Sequence, residues 1–305
     1  MNKTLVLAAV LLALIGLYVV LNQNEPTAKL DIPLVEADSA DVTAMRVVTV
    51  SDTVELRKEG DGWKIMGAKA FPANPQNVGR AVQRFGQMTR KAIVTDKPDR
   101  YGEFEVDGVK GVQVTLTANG QERTIFLGKA GPTMQTSYAR VEGSKEVWEV
   151  GGNHASNFRR PAADWRDKTI SALAMDSVRV VTVRHDGREL VLTKQDSVWS
   201  STENGVAFPG MKQHIERITR MLSRINAVEF ADTLGAAFFD APKATVLVEM
   251  LDGARMELKF VPRDDKQYYV RKTGALTDYV LYNSTVEVLL RKKEDLVDKP
   301  KLAGQ

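Results

Sequence analysis

Apolar positions along this chain follow three different rhythms. Leu5 to Leu21 is an unbroken apolar run. From Arg46 onward, short stretches alternate apolar and polar residues, the pattern of half-buried strands. Twice the period lengthens to that of a helix with one apolar face, at Val78, Val82, Phe85 and Met88, and again at Met211, Ile215, Ile218, Leu222 and Ile225. Asn119-Gly120 and Asp252-Gly253 separate alternating stretches (Gly111–Thr117 from Thr124–Leu127, Ala244–Leu251 from Arg255–Phe260) and predict antiparallel hairpins. Gly60-Asp61-Gly62 and Asp186-Gly187 do the same for earlier strands.

These rhythms repeat along the chain. Trp63 leads through Phe71-Pro72 into the first helical stretch, which Asn74 and Pro75 suit as start residues, and Trp199 leads through Phe208-Pro209 into the second. Arg46–Val50 and Arg179–Val183 are five identical residues in a row, and Tyr138-Ala139-Arg140 is echoed by Tyr269-Val270-Arg271. Each copy is expected to close with a strand, at Glu146–Val150 or Asp278–Tyr282, and a short helix, the second opening with a capping box at Ser284–Glu287. The reading is an α+β protein of two tandem similar units, each a mainly antiparallel sheet with one long helix packed on it, behind an N-terminal transmembrane helix. The expected domains are an anchor over 1–22, a tether over 23–42, repeats over 43–170 and 171–298, and a tail over 299–305. Trp63 and Trp199 are expected in the cores.

The leading apolar run spans roughly 25 Å as a helix at about 1.5 Å per residue, near the short end of a membrane span. A cleaved signal peptide is the competing reading. Its apolar region is normally shorter and ends at a small-x-small site, whereas this run passes into Asn22-Gln23-Asn24. Lys3 before the run places the body on the extracytoplasmic side.

A length of 305 residues accommodates two domains with real cores. A net charge of +3 on 42 basic and 39 acidic side chains is close to balanced and gives no reason to expect a nucleic-acid partner, which would call for a concentrated basic face. The absence of cysteine excludes disulfides, thiolate nucleophiles and cysteine-ligated metals. His154, His185 and His214 stand in different elements outside any His-Glu-x-x-His spacing. Gly128-Lys129 lacks the earlier glycine of a phosphate loop, since Arg123 holds that place, and the acidic stretch from Asp96 to Asp107 lacks the alternation of a calcium loop. No catalytic residue, metal ligand or cofactor site is therefore expected.

Two kinds of interaction residue stand out. Tyr138 with Arg140, and Tyr269 with Arg271, share a strand face, because side-chain direction repeats every two residues. Such pairs either grip a glycan, lipid phosphate or carboxylate, or serve as internal stacks and ion pairs. The helices carry basic stripes, Arg80 and Arg84 with Lys91 on the first and Arg217, Arg220 and Arg224 on the second. These read either as contacts for anionic lipid or an acidic partner, or as solvated faces.

In order along the chain stand the tryptophan strand with Phe71-Pro72-Ala73, then Tyr101-Gly102, Leu127-Gly128, Tyr138-Ala139-Arg140, Phe158-Arg159 and Trp165-Arg166-Asp167-Lys168. This order resembles the bacterial envelope family called domain of unknown function 4340 (DUF4340), over about residues 43 to 298. Phe239-Asp240-Ala241-Pro242 corresponds to a Gly-Leu-Asp-x-Pro stretch of that family, and the first copy lacks a proline after Tyr101-Gly102. The resemblance implies association with permeases and accessory proteins of ABC-type export and gliding-motility systems, and it carries no catalytic residue. The expectation is a non-enzymatic accessory or scaffold protein of such a complex, single-pass in the bacterial inner membrane through residues 5–21, with its body in the periplasm. Its expected partner is an ABC-type permease or an envelope protein complex. The alternative expectation is a periplasmic binding module for envelope glycan or lipid, using the cleft between the units and the tyrosine-arginine pairs.

Overall fold

Alternating stretches become antiparallel strands throughout the computed structural model, which describes residues 32–133 and 135–298. The run Leu5–Leu21, residues 23–31 of the tether and the tail lie outside the described residues. Among the described residues no helix is long and apolar enough to cross a membrane. The chain is mainly antiparallel sheet with a few helices. It divides into two compact units: one runs to Ala68 and resumes over Pro75–Ala162, and the other holds Lys69–Asn74 and everything from Ala163. The exchanged segment Lys69–Asn74 joins the second unit through backbone bonds, Asn74 N–H to the Trp165 carbonyl at 2.7 Å and Asp167 N–H to the Pro72 carbonyl at 2.9 Å.

In the first unit the elements are β1 (Val42–Val48), β2 (Thr53–Glu59), β3 (Gly62–Met66), helix α1 (Pro75–Gly86), β4 (Arg90–Thr95), β5 (Val112–Ala118), β6 (Gln121–Ala130), β7 (Thr136–Val141) and β8 (Val147–Gly151). These eight strands lie in the order β3-β2-β1-β5-β6-β7-β8-β4. Helix α1 buries Val78, Ala81, Val82 and Phe85, as its period requires. Strand β6 is buried on both faces from Thr124 to Gly128, because the segment Tyr101–Val106 covers the second face with Tyr101, Phe104 and Val106 around Phe126.

In the second unit the elements are β9 (Val178–His185), β10 (Arg188–Gln195), β11 (Val198–Glu203), β12 (Val206–Phe208), helix α2 (Lys212–Ser223), β13 (Glu229–Phe230), β14 (Ala244–Met250), β15 (Arg255–Pro262), β16 (Gln267–Lys272) and β17 (Tyr279–Tyr282). Their order is β12-β11-β10-β9-β14-β15-β16-β17-β13. Ile215, Ile218 and Leu222 of α2 lie fully buried in one cluster with Val181, Val183, Val246, Val248 and Leu258 from the strands. Each such side chain contributes about 1.5–3 kcal/mol by leaving water.

Asn119-Gly120 and Asp186-Gly187 both adopt positive φ at each residue, the conformation of a tight hairpin turn that matches strand twist. Other expectations need correction. The identical pentapeptides are three residues out of step. Val42 and Val178 each begin a strand, each is followed by a bulge, and Val47 and Val183 occupy matching rungs opposite Val114 and Val246. Arg46 therefore corresponds to Thr182, and a shift by an odd number would turn every side chain to the wrong face. Trp63 and Trp199 are half-buried, standing opposite Lys58 and Lys194 in outer hairpins, while Trp165 is fully buried. The expected capping box at Ser284 does not form, because the helix starts at Asn283 and its cap, Tyr282, lies two residues before Ser284. The sequence pattern does not mark strands β4 and β13; each is paired last in its sheet, β4 directly after its long helix and β13 after the short strand Ile225–Asn226 that follows the second.

Candidate functional site

Strand β7 places Tyr138 and Arg140 on one face, away from buried Ala139, as the two-residue period dictates. The Arg140 guanidinium lies 4.4 Å from the Tyr101 ring centre and 4.2 Å from that of Phe126. Its Nε and Nη2 donate to the Val106 carbonyl at 3.2 Å. Burial pulls this guanidinium below its ordinary pKa, against the opposing pull of Tyr101, Glu142 and Asp107. Tyr138 packs edge-on against Phe104 at 4.8 Å. Arg140 thus pins the Tyr101–Val106 segment to the sheet.

Arg271 occupies the corresponding rung of β16 and has a different partner. It clasps Asp278 through Nε and Nη2, both at 2.7 Å, and lies 4.3 Å from the Phe239 ring centre. Hydrogen bonding to Asp278 raises its pKa. Val147 stands opposite Arg140 in the first unit, so a carboxylate partner is present in one unit and replaced by a backbone carbonyl in the other. Tyr269 packs edge-on with Phe238 at 5.4 Å, and the Arg263 guanidinium lies 5.5 Å from its ring centre. Both tyrosine-arginine pairs are engaged inside their units.

The helix arginines are placed differently. Arg80, Arg84, Arg217, Arg220 and Arg224 are all exposed, and Arg80 donates to the Asn77 side chain at 2.5 Å. Among the described residues none of these five forms an ion pair with a carboxylate within 4 Å. Their faces are cationic and open.

Sequence alone marks Arg166 only as part of Trp165-Arg166-Asp167-Lys168. Its guanidinium is held between two phenyl rings, 3.9 Å from the centre of Phe71 and 3.7 Å from that of Phe230. Asp232 accepts from it at 2.5 and 3.0 Å, and Thr277 at 3.1 Å. The Arg166 hydrogen bonds hold the Asp232 carboxyl below the usual carboxylate range. A groove of about 320 Å³ beside it is lined by Phe71, Arg166, Phe230 and the Lys272–Thr277 turn.

The first unit carries a cleft of about 630 Å³. Its walls are the Thr49–Asp52 turn, Glu105, the start of β5 at Lys110–Val112, and Arg159-Arg160-Pro161. Glu105 sits in the left-handed region at φ 58°, where the chain leaves the short helix Tyr101–Phe104. Arg159 reaches Glu105 at 3.5 Å and the Lys110 carbonyl at 3.4 Å, and Arg160 Nε donates to the Asn157 carbonyl at 2.7 Å. The Asp52 carboxylate accepts from the Thr53 and Ala162 amides at 2.8 and 3.1 Å. Sequence periodicity could not single out this cleft, because its basic residues lie in irregular chain far from the turn in sequence. Among the described residues no group of three or more His, Cys, Asp or Glu is placed to hold a metal ion.

The DUF4340 motifs now have physical meaning. A Cβ at Gly128 would fall 1.9 Å from the Phe104 carbonyl oxygen, and one at Gly111 2.1 Å from that of Glu105. The Tyr101-Gly102 helix and the Leu127-Gly128 strand are thus two halves of one contact. The family described as "Domain of unknown function (DUF4340)" matches residues 63–246. The chain belongs to this family. No curated protein matches this DUF4340 chain. Among solved structures, the DNA polymerase III subunit beta from Borrelia burgdorferi, in complex with a natural product, aligns at 10% identity and a TM-score of 0.16. That alignment covers 86% of this chain and 62% of the other, so this chain spans less than two thirds of it. A score so low carries no statement about fold or function.

Proposed function

We propose that this protein is a non-enzymatic, membrane-anchored periplasmic accessory or scaffold of an ABC-type export or gliding-type transport complex. One observation carries the reading. The arginines within the family motifs, Arg140 and Arg166, together with Arg271, are committed to internal carbonyls, carboxylates and rings, while Arg80, Arg84, Arg217 and Arg220 on the long helices stand exposed with no carboxylate partner among the described residues. Exposed cations of this kind steer and orient an acidic partner more than they stabilise the fold. The leading run Leu5–Leu21 supplies the anchor in a single pass of the bacterial inner membrane, and Lys3 sets its orientation. The body is built from two tandem similar α+β units; the support is the shared strand order, the matched bulges after Val42 and Val178, and the aligned Trp63 and Trp199.

Crosslinking in native membranes followed by mass spectrometry of the captured chains tests the proposal. Recovery of a permease or another membrane protein of a transport complex is the expected result. Recovery of no membrane partner at normal expression counts against it.

A further inference from the structure

Glu287, Arg291 and Asp295 of the second unit follow one another at intervals of four in sequence. In one unbroken helix each would lie beside the next and pair with it. The backbone prevents this. The helix Asn283–Leu289 ends before Arg291, its cap Leu290 has left the helical conformation, and a second short helix starts only at Lys293. Arg291 and Lys292 fall in the break, and the Asp295 carboxylate turns back to accept from the Lys292 amide at 3.0 Å. Among the described residues none of Glu287, Arg291, Lys292 and Asp295 forms an ion pair within 4.0 Å.

These four residues nevertheless line one cavity of about 440 Å³, with Leu290 and Tyr268 of β16 beside them. Its size falls in the ordinary range of small-ligand pockets, about 300–1,000 Å³. The fold leaves polar atoms of its walls unused. Arg291 Nε is buried with no hydrogen-bond partner. The Asn283 side chain, which also lines the cavity, donates to the Asp265 carbonyl at 2.5 Å, and its Oδ1 is buried without a partner. Leu290 and Tyr268 pack on the core of the unit and supply an apolar side. A bare anion here would meet Glu287 and Asp295, and a bare cation would meet Arg291 and Lys292. Charges of both signs, unpaired with each other, suit a small molecule that carries both charges itself.

We propose that this pocket binds an amino-acid zwitterion, as a free amino acid or as a short peptide with both ends charged. Arg291, with Lys292 beside it, takes the carboxylate. Glu287 and Asp295 take the ammonium, and Leu290 and Tyr268 receive an apolar side chain. None of the long-helix arginines lines this pocket, so ligand binding and capture of a membrane partner succeed or fail separately.

Calorimetric titration of the full-length chain in neutral detergent tests this, with L-leucine and L-alanyl-L-leucine as probes. The N-acetylated and the amidated form of each probe lack one of the two charges. Saturable binding of L-leucine assigns a free amino acid, and binding of the dipeptide alone assigns a peptide; one of these results is expected. Each single-charge form binds about tenfold or more weakly than its parent, the scale of one charge-assisted hydrogen bond. Arg291→Gln and, at an exposed position, Glu287→Gln weaken binding of the parent by a similar factor. Glu287→Gln does not weaken binding of the N-acetylated form, which has no ammonium to lose, whereas damage to the fold would weaken both. The proposal is overturned if neither probe binds, if a single-charge form binds as tightly as its parent, or if Glu287→Gln weakens parent and N-acetylated form alike.

Discussion

At the scale of single residues, the firmest constraints are backbone approaches and buried charges. Gly128 has the Phe104 carbonyl against its α-carbon, where a Cβ would come within 1.9 Å of the oxygen. Gly128→Ala therefore forces strand β6 and the 101–104 helix apart and costs about 1–3 kcal/mol, as overpacking does; thermal unfolding measures it. Arg271 and Asp278 form a forked pair with side-chain exposures of 25% and 8%. Arg271→Ala strands a buried carboxylate and costs about 3–5 kcal/mol, whereas the double change Arg271→Ala with Asp278→Ala costs less than the single one. Chemical denaturation of the two variants separates these outcomes. Equal losses would mean that Asp278 gains nothing from its partner. The shared face of Tyr269 and Arg271 was legible from strand period alone, but Asp278 was not, since its pairing depends on which strand lies alongside.

At the scale of elements, apolar periodicity located both long helices and the central hairpins, because their burial is one-sided. It missed β4 and β13 at the sheet edges. Strand β4 reads Arg-Lys-Ala-Ile-Val-Thr, and Ile93 is 51% exposed, so no clean alternation marks it. The valine-rich pentapeptides misled in the opposite way, since two strands of similar composition match at several offsets and only the bulge and the pairing settle the register. The short helix Ala155–Phe158, with His154 at its cap, carries its own pH dependence. His154 is buried, packs on the Gly151 carbonyl and lies near Arg84, and burial lowers its pKa from the ordinary 6.5. A lowered histidine pKa means the unfolded chain takes up the proton first as pH falls. Its contribution is complete above about pH 6.5 and is lost as pH drops through the lower folded value. Melting temperature followed from pH 7.5 to 5 is expected to decline, and His154→Gln is expected to flatten that decline. An unchanged slope in the variant would assign the decline to other groups.

At the scale of the whole molecule, composition and the order of motifs led to the family, while the site candidates required three-dimensional neighbours. Arg159 and Arg160 line one cleft with the Thr49–Asp52 turn, more than a hundred residues away in sequence, so no local pattern could join them. With Arg140 and Arg271 committed internally, the long-helix arginines stand among the exposed cationic groups of the molecule. Reversing their charge leaves folding nearly unchanged, because substitutions at exposed positions without ion pairs usually change stability by less than about 0.5 kcal/mol. The most direct measurement is the yield of crosslinked membrane partner from native membranes, compared between the natural chain and one carrying Arg80→Glu, Arg84→Glu, Arg217→Glu and Arg220→Glu at equal abundance. The account predicts a transport-complex protein in the first sample and a severalfold loss of it in the second. No membrane partner in either sample, or equal yields in both, would contradict it.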